Sequence, residues 1–245
     1  MTKLSFKPVF KLVLLSAASL SLLGCTGSLE QETRTVRVSP VSEKYKLTER
    51  MEGKTYILLA ETSTGQEQYR YVVSDSLARV LKENGKGSIT FSFLNLWGKS
   101  ENEKISSKGI EVLSFTDLAN KLNEKDVCQR HAEMREFYQR NGMFRKSDLE
   151  FMAKEIDADY LVLPCLLNVK RWGTGRFSIF GLRILHTQII SGMLGMEIWD
   201  TKTGHKVFSA ISDVTIANEK IKEEPISLED AFERAWLGII KELPG

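Results

Sequence analysis

The chain has few of the side chains that active sites are usually built from. Among 245 residues there are three cysteines and three histidines. His131, His186 and His205 are far apart, and no Cys-x-x-Cys, His-x-His or His-Glu-x-x-His spacing occurs, so the common sequence signs of a metal centre are absent. Gly173 and Gly175 form only Gly-Thr-Gly, without the third glycine and helix start of a dinucleotide site, and are read as a glycine-rich loop. An excess of positive charge is also missing, with 34 Lys and Arg against 32 Asp and Glu. Nucleic-acid affinity comes largely from concentrated basic surface, so this balance argues against a nucleic-acid partner. Nor is there an apolar run long enough to span a bilayer as a helix.

What is present describes an ordinary globular chain. With 42% hydrophobic and 27% charged residues it is too apolar for intrinsic disorder, and one sizeable domain is expected. Residues 1–11 carry Lys3, Lys7 and Lys11 and no acid, and a short apolar and small-residue run follows from Leu12 to Leu23. This is the pattern of a secretory signal, here residues 1–24. Removing it leaves one more acid than base. The run closes on Leu22-Leu23-Gly24-Cys25, which resembles the lipobox of bacterial lipoproteins. That resemblance implies cleavage before Cys25 and acylation of its thiol, making membrane lipid the first partner. Each buried methylene contributes about 0.8 kcal/mol, so two or three chains hold a soluble domain at a membrane surface. Thr26 stands where an Asp would favour inner-membrane retention in that family, which points to the periplasmic face of the outer membrane.

Residues 25–54 are rich in polar and charged side chains and show no sustained period, so a flexible tether is expected there, with Thr35 to Val38 as a candidate edge strand. Such a tether would reach roughly 100 Å at about 3.3 Å per residue. The single domain then spans 55–245. Patterning predicts strands at Tyr56 to Ala60, Ile89 to Leu96, Ile110 to Phe115 and Ala158 to Pro164. Helices are predicted from Ser74 to Asn84-Gly85, Thr116 to Asn123, Asp126 to Asn141-Gly142, and from a capping box at Ser147-Asp148-Leu149-Glu150. Two long strand-like stretches, Leu182 to Trp199 and Lys206 to Ala217, flank Asp200-Thr201-Lys202-Thr203-Gly204 and predict a hairpin. Pro225 and Ser227 open an amphipathic helix carrying Leu228, Phe232, Trp236 and Ile239. The fold class is therefore α/β (α+β): strands and helices along one chain, with a C-terminal hairpin and an amphipathic helix that needs a sheet to cover.

Three phrases carry a family resemblance: Lys146 to Pro164 with its Ala158-Asp159-Tyr160-Leu161-Val162 core, Glu197-Ile198-Trp199-Asp200-Thr201-Lys202-Thr203-Gly204, and the closing helix. They resemble envelope lipoproteins of the TolB amino-terminal, curli secretion-pore and penicillin-binding-protein-activator group. That resemblance implies an α/β domain in which a mixed sheet is packed by helices, and one that binds other proteins or assembles, with no shared catalytic residues. The expected function is a non-catalytic binding or assembly factor whose partner is another envelope protein or further copies of itself. One alternative is an oligomeric pore subunit, with Arg171 to Met196 as its only membrane-hairpin candidate. The other is a hydrolase using Cys165 with a histidine. Cys128 and Cys165 are read as free thiols in preference to a disulfide. The carboxylate pairs Asp157 with Asp159 and Glu223 with Glu224 are read as turn and loop residues. No catalytic residue, cofactor or metal ligand is assigned, and Cys25 is the one site residue.

Overall fold

The computed structural model describes residues 29–47, 51–85, 110–179, 182–220 and 227–244. Cys25, the strand predicted at Ile89 to Leu96, and Glu223, Glu224 and Pro225 lie outside these residues. Seven strands form one sheet: β1 (Leu29–Val38), β2 (Gly53–Ile57), β3 (Glu61–Thr62), β4 (Ile110–Leu113), β5 (Tyr160–Ile179), β6 (Leu182–Asp200) and β7 (His205–Lys220). The order is β1-β7-β6-β5-β2-β4, with β3 also beside β5. β2 runs parallel to β4 and β5, whereas β5, β6, β7 and β1 are successively antiparallel. The sheet is therefore mixed, as the family resemblance implies.

Helices α1 (Arg70–Gly85) and α5 (Leu228–Ile240) cover one face, and α2 (Phe115–Glu124), α3 (Cys128–Asn141) and α4 (Lys146–Ile156) cover part of the other. On the first face, Val73, Leu77 and Leu81 of α1 and Phe232, Trp236 and Ile239 of α5 pack on Val162, Leu194, Ile198 and Val214. Trp236 is fully buried and its indole N–H donates to Ser76 Oγ at 3.0 Å, so the largest core side chain leaves no polar atom unpaired. On the second face, Leu118, Met134, Leu149 and Met152 meet Leu161, Leu163 and Trp199.

Several expectations need correction. The stretch expected as free tether contains β1, ten residues paired with β7 from Leu29↔Glu219 to Val38↔Ala210. Its Glu32, Arg34 and Val36 are half-buried between exposed neighbours, a period-2 pattern supplied by charged side chains whose partners are far along the chain. Arg234 of α5 pairs with both Glu30 and Glu32, and Glu32 also pairs with Arg34. Strand β5 does not stop at Pro164. Proline is tolerated there because the ladder to β2 has ended at Val162 and that to β3 begins at Cys165. Gly173 and Gly175, read as a loop, lie within β5 opposite Gln188 and His186.

Two helix starts also differ. Ser74 lies inside α1, where its hydroxyl donates to Arg70 O (2.9 Å) and accepts the Ala60 N–H (2.8 Å), a bond one turn back in place of a cap. The capping box at Ser147 does not form, because α4 already begins at Lys146. A reciprocal box forms instead at Ser114, whose N–H donates to Asp117 Oδ2 (2.8 Å) and whose Oγ accepts from Asp117 N (3.2 Å). The predicted hairpin is present: Asp200 Oδ1 accepts from Lys202 N and Thr203 N, and Gly204 takes φ 76°.

Close packing holds β1 to α5. A β-carbon on Gly238 would lie 2.7 Å from Arg34 Cδ and 3.0 Å from Val36 Cγ2. Gly238→Val should therefore cost about 1–3 kcal/mol in urea denaturation and speed protease cleavage within residues 29–38. Unchanged cleavage would show that α5 does not retain the strand.

Candidate functional site

Strands β5, β6 and β7 are 20, 19 and 16 residues long, several times the usual strand, and they outrun the helices on the second face. Register aligns their residues in rows that continue into β1. Trp172, Ile189, Ala217 and Gln31 share one row, and Lys170, Ser191, Thr215 and Thr33 the next but one. Thr215 Oγ1 donates to Ser191 Oγ at 3.3 Å, as expected for side chains on one face. Ile189, Met193 and Ile211 stay half-exposed on this face, beyond the part that α2, α3 and α4 cover.

The same region has two open edges among the described residues. β5 pairs with β3 at Cys165 and Leu166, and Ser63 adds bonds to Leu166 O (3.0 Å) and Leu167 O (2.6 Å). From Asn168 onward its only described partner is β6. β1 likewise has β7 on one side only. Of five exposed large apolar side chains, Leu167 and Trp172 sit on the β5 edge and Val38 on β1, which concentrates binding potential at these edges. Lys170 and Arg171 are exposed beside Trp172 and form no described ion pair.

Where α3 meets the sheet, a polar layer is fixed by charge pairing. Glu197 accepts from Tyr138 Oη (3.0 Å), Trp199 Nε1 (3.1 Å) and Lys206 Nζ (2.9 Å). Glu61 pairs with Arg135 and accepts from Gln139 Nε2 (3.1 Å). Cys165 lies against this layer, and burial together with the Glu197 and Glu61 carboxylates pushes its thiol up to about 12. A thiol so protonated at neutral pH is a poor nucleophile, and no described hydrogen bond joins it to a histidine. Burial, reinforced by Arg135, lowers His131 to about 4. His205 stacks on Tyr45 with ring centroids 3.7 Å apart.

The remaining sequence candidates fall into structural roles. Cys128 and Cys165 are both free, as read from the sequence. Asp157 ends α4 with φ 58° and pairs with Lys54, while Asp159 accepts from Lys54 N (2.9 Å) and pairs with Lys202 (2.6 Å). Burial alone would raise the Asp159 carboxyl, but its bonds from Lys202 and the Lys54 amide hold it below the usual range. Its carboxylate also occupies the space where a β-carbon on Gly53 would go, 2.1 Å from Oδ2. Among the described residues, no group of three or more His, Cys, Asp or Glu is arranged to hold a metal ion. No described helix is long and apolar enough to cross a membrane. A cleft of about 270 Å³ lined by Tyr71, Ser74, Asp75, Arg79, Phe115 and Glu229 was not foreseen, and neither were the open edges. The alternation of Thr35 to Val38 was the only sequence sign of either edge.

No protein-family model matches the sequence, and no curated protein matches it. Solved structures do match. The PelC dodecamer from Paraburkholderia phytofirmans has TM-score 0.39 and 10% identity over 86% of this chain and 99% of that one. Lipoprotein GNA1162 from Neisseria meningitidis has TM-score 0.33 and 8% identity over 78% and 96%. The hypothetical protein CT253 from Chlamydia trachomatis has TM-score 0.35 and 9% identity over 78% and 95%. At these values neither a function nor an assembly transfers to this chain.

Because His131 has its folded value near 4 against 6.5 when free, the unfolded chain takes up the proton first as pH falls. Stability should be full above pH 6.5 and decline by up to about 3 kcal/mol toward pH 4, and His131→Phe should flatten that decline. Denaturant melts across this range measure it. In maleimide labelling at neutral pH, Cys128 should react and Cys165 should react only after unfolding, as read by peptide mapping.

Proposed function

We propose that this chain is a lipoprotein held on the periplasmic face of the outer membrane by acyl chains on Cys25, and that it works there as a non-catalytic binding or assembly factor. The lipobox-like Leu22-Leu23-Gly24-Cys25 supports the anchor. The observation that carries the reading further is register. Leu29 shares a row with Glu219, Thr187 and Thr174. Only three residues lie between Cys25 and that row, four steps of chain with a reach of about 13 Å. The anchor then attaches directly to one end of the sheet, and the domain cannot roam as it would on a thirty-residue tether.

Beyond that row the β5–β6 backbone continues to the pair Ile179↔Leu182, about 16 Å farther in the same direction. The hairpin end therefore faces the bilayer, and the helix-packed end, with Asp200 to Gly204, faces the periplasm. Long exposed strands serve recognition through backbone pairing and alternate side chains. The pore-subunit alternative draws on the same hairpin, whereas a hydrolase draws on nothing comparable once Cys165 is held as a protonated thiol. The resemblance to the TolB, curli-pore and activator group supports a protein partner in the envelope.

Radiolabelled palmitate should enter the wild-type protein, and Cys25→Ala should abolish labelling and release a folded soluble domain. An environment-sensitive dye on Gly173→Cys should shift to an apolar spectrum when the lipidated protein is in vesicles, whereas a dye on Lys202→Cys should not. Equal spectra would overturn the orientation. Crosslinking in living cells identifies the captured partner.

A further inference from the structure

Two unpaired edges on one sheet raise the question of what completes them. The described distal half of the sheet is four antiparallel strands, β5-β6-β7-β1, open at residues 168–173 of β5 on one side and at 29–38 of β1 on the other. Strands alternate in direction across these four, so β5 and β1 run oppositely. A second copy set beside the first in the same orientation would therefore bring its β1 antiparallel to the first copy's β5.

Charge selects this pairing. Arg171, Ile190, Ile216 and Glu32 form one row, on the face that carries α5. In an unstaggered continuation, Arg171 of one copy meets Glu32 of the next, with Glu30 on one diagonal and Arg34, itself paired with Glu32, on the other. Arg171 is exposed and makes no described ion pair. Pairing β1 with β1 in parallel would instead set Glu30 and Glu32 beside their own copies, a like-charge contact that weakens the ladder. Pairing β1 with β1 antiparallel would turn one copy end over end and carry its anchor away from the bilayer. Pairing β5 with β1 keeps every Leu29 at the same end of the sheet.

We infer that the open β5 edge of one protomer binds the open β1 edge of another, an antiparallel head-to-tail contact that extends the sheet from copy to copy. The choice of orientation rests on the Cys25 anchorage proposed above, whereas the edges and charges do not. Because the contact is heterologous, it propagates beyond a dimer. Trp172 gains cover at the junction, which runs over residues 168–174 of β5 and 29–35 of β1 because β3 and Ser63 already line β5 at Cys165 to Leu167.

Cysteine crosslinking of the full lipidated chain in native membranes tests this. Within one chain, Gln31 and Trp172 are three strand spacings apart, about 14 Å, too far for a disulfide. In a Cys128→Ser background, Gln31→Cys with Trp172→Cys, and Thr33→Cys with Lys170→Cys, should give a ladder of dimers, trimers and larger species on oxidation. Each single variant should stay monomeric. Adding Arg171→Glu should lower crosslinking about fivefold, since the favourable pair becomes a like-charge one. Dimers from Thr33→Cys alone, or no crosslinks from either pair, would overturn the inference; the second result would mean that Lys170 and Arg171 simply guard an edge facing water. Palmitate labelling of the same samples reads the anchor separately. Labelled protein without a ladder overturns the edge contact alone, and unlabelled protein with a ladder supports it while removing the anchorage.

Discussion

The antiparallel ladder of β5, β6 and β7 is the constraint on which the rest of the molecule depends. A sheet has a side-chain period of two, so one fixed row, together with the bulges between Ile198 and Trp199 and between Leu166 and Asn168, determines which face each residue up to Gly175 occupies. The hairpin turn at Asp200 to Gly204 fixes that row, because the Asp200 carboxylate binds two successive amides and Gly204 adopts a positive φ. From there the register sends Ile190, Leu194 and Ile198 to α1 and α5, and Cys165, Glu197 and Trp199 to the α3 side. It also aligns Leu29 with Thr174, and the proposed membrane orientation follows from that alignment.

Two kinds of interaction attach the helices to this frame. α5 holds the sheet by apolar burial through Phe232 and Trp236, and it holds β1 by close approach at Gly238 and the Arg234 pairs to Glu30 and Glu32. α3 binds through polar contacts, with Arg135 on Glu61 and Tyr138 on Glu197. Asp148 is buried at the start of α4 and accepts from Arg130 (2.6 Å) and Arg145 (2.8 Å), which ties α3 to α4. Removing one partner from such a pair leaves an uncompensated buried charge, so these contacts fix position more than they add net stability.

The sequence was most informative where one element's own side chains decide its structure. α5, with apolar residues three and four apart after the Ser227 cap, and the Asp200 to Gly204 turn were both readable from local pattern. The combination of strands and helices followed from the order of their runs, whereas the mixed sheet came from the family resemblance. Elements that depend on distant partners were not readable. β1 resembles a tether because its inward-facing positions include Glu32 and Arg34, which pair with each other, and Glu32 finds its partner on the body in Arg234, about two hundred residues along. Gly173 and Gly175 read as a loop because glycine weakens strand propensity, and only the facing β6 residues make strand of them. Ser147 made a plausible cap, but α4 begins one residue earlier. For the site, Cys25 came from a local phrase, while the open edges are properties of topology and had no local signal beyond alternation at Thr35 to Val38.

The first strand of the chain pairs with the last, Leu29 against Glu219, a separation of roughly 190 residues. Contacts of such high order form slowly, because most of the chain must exist before the ladder can close. During synthesis β1 emerges long before β7, so β1 has no strand to pair with until β7 has been made. The strand made first is thereby set in the sheet only after the strand beside it has been made.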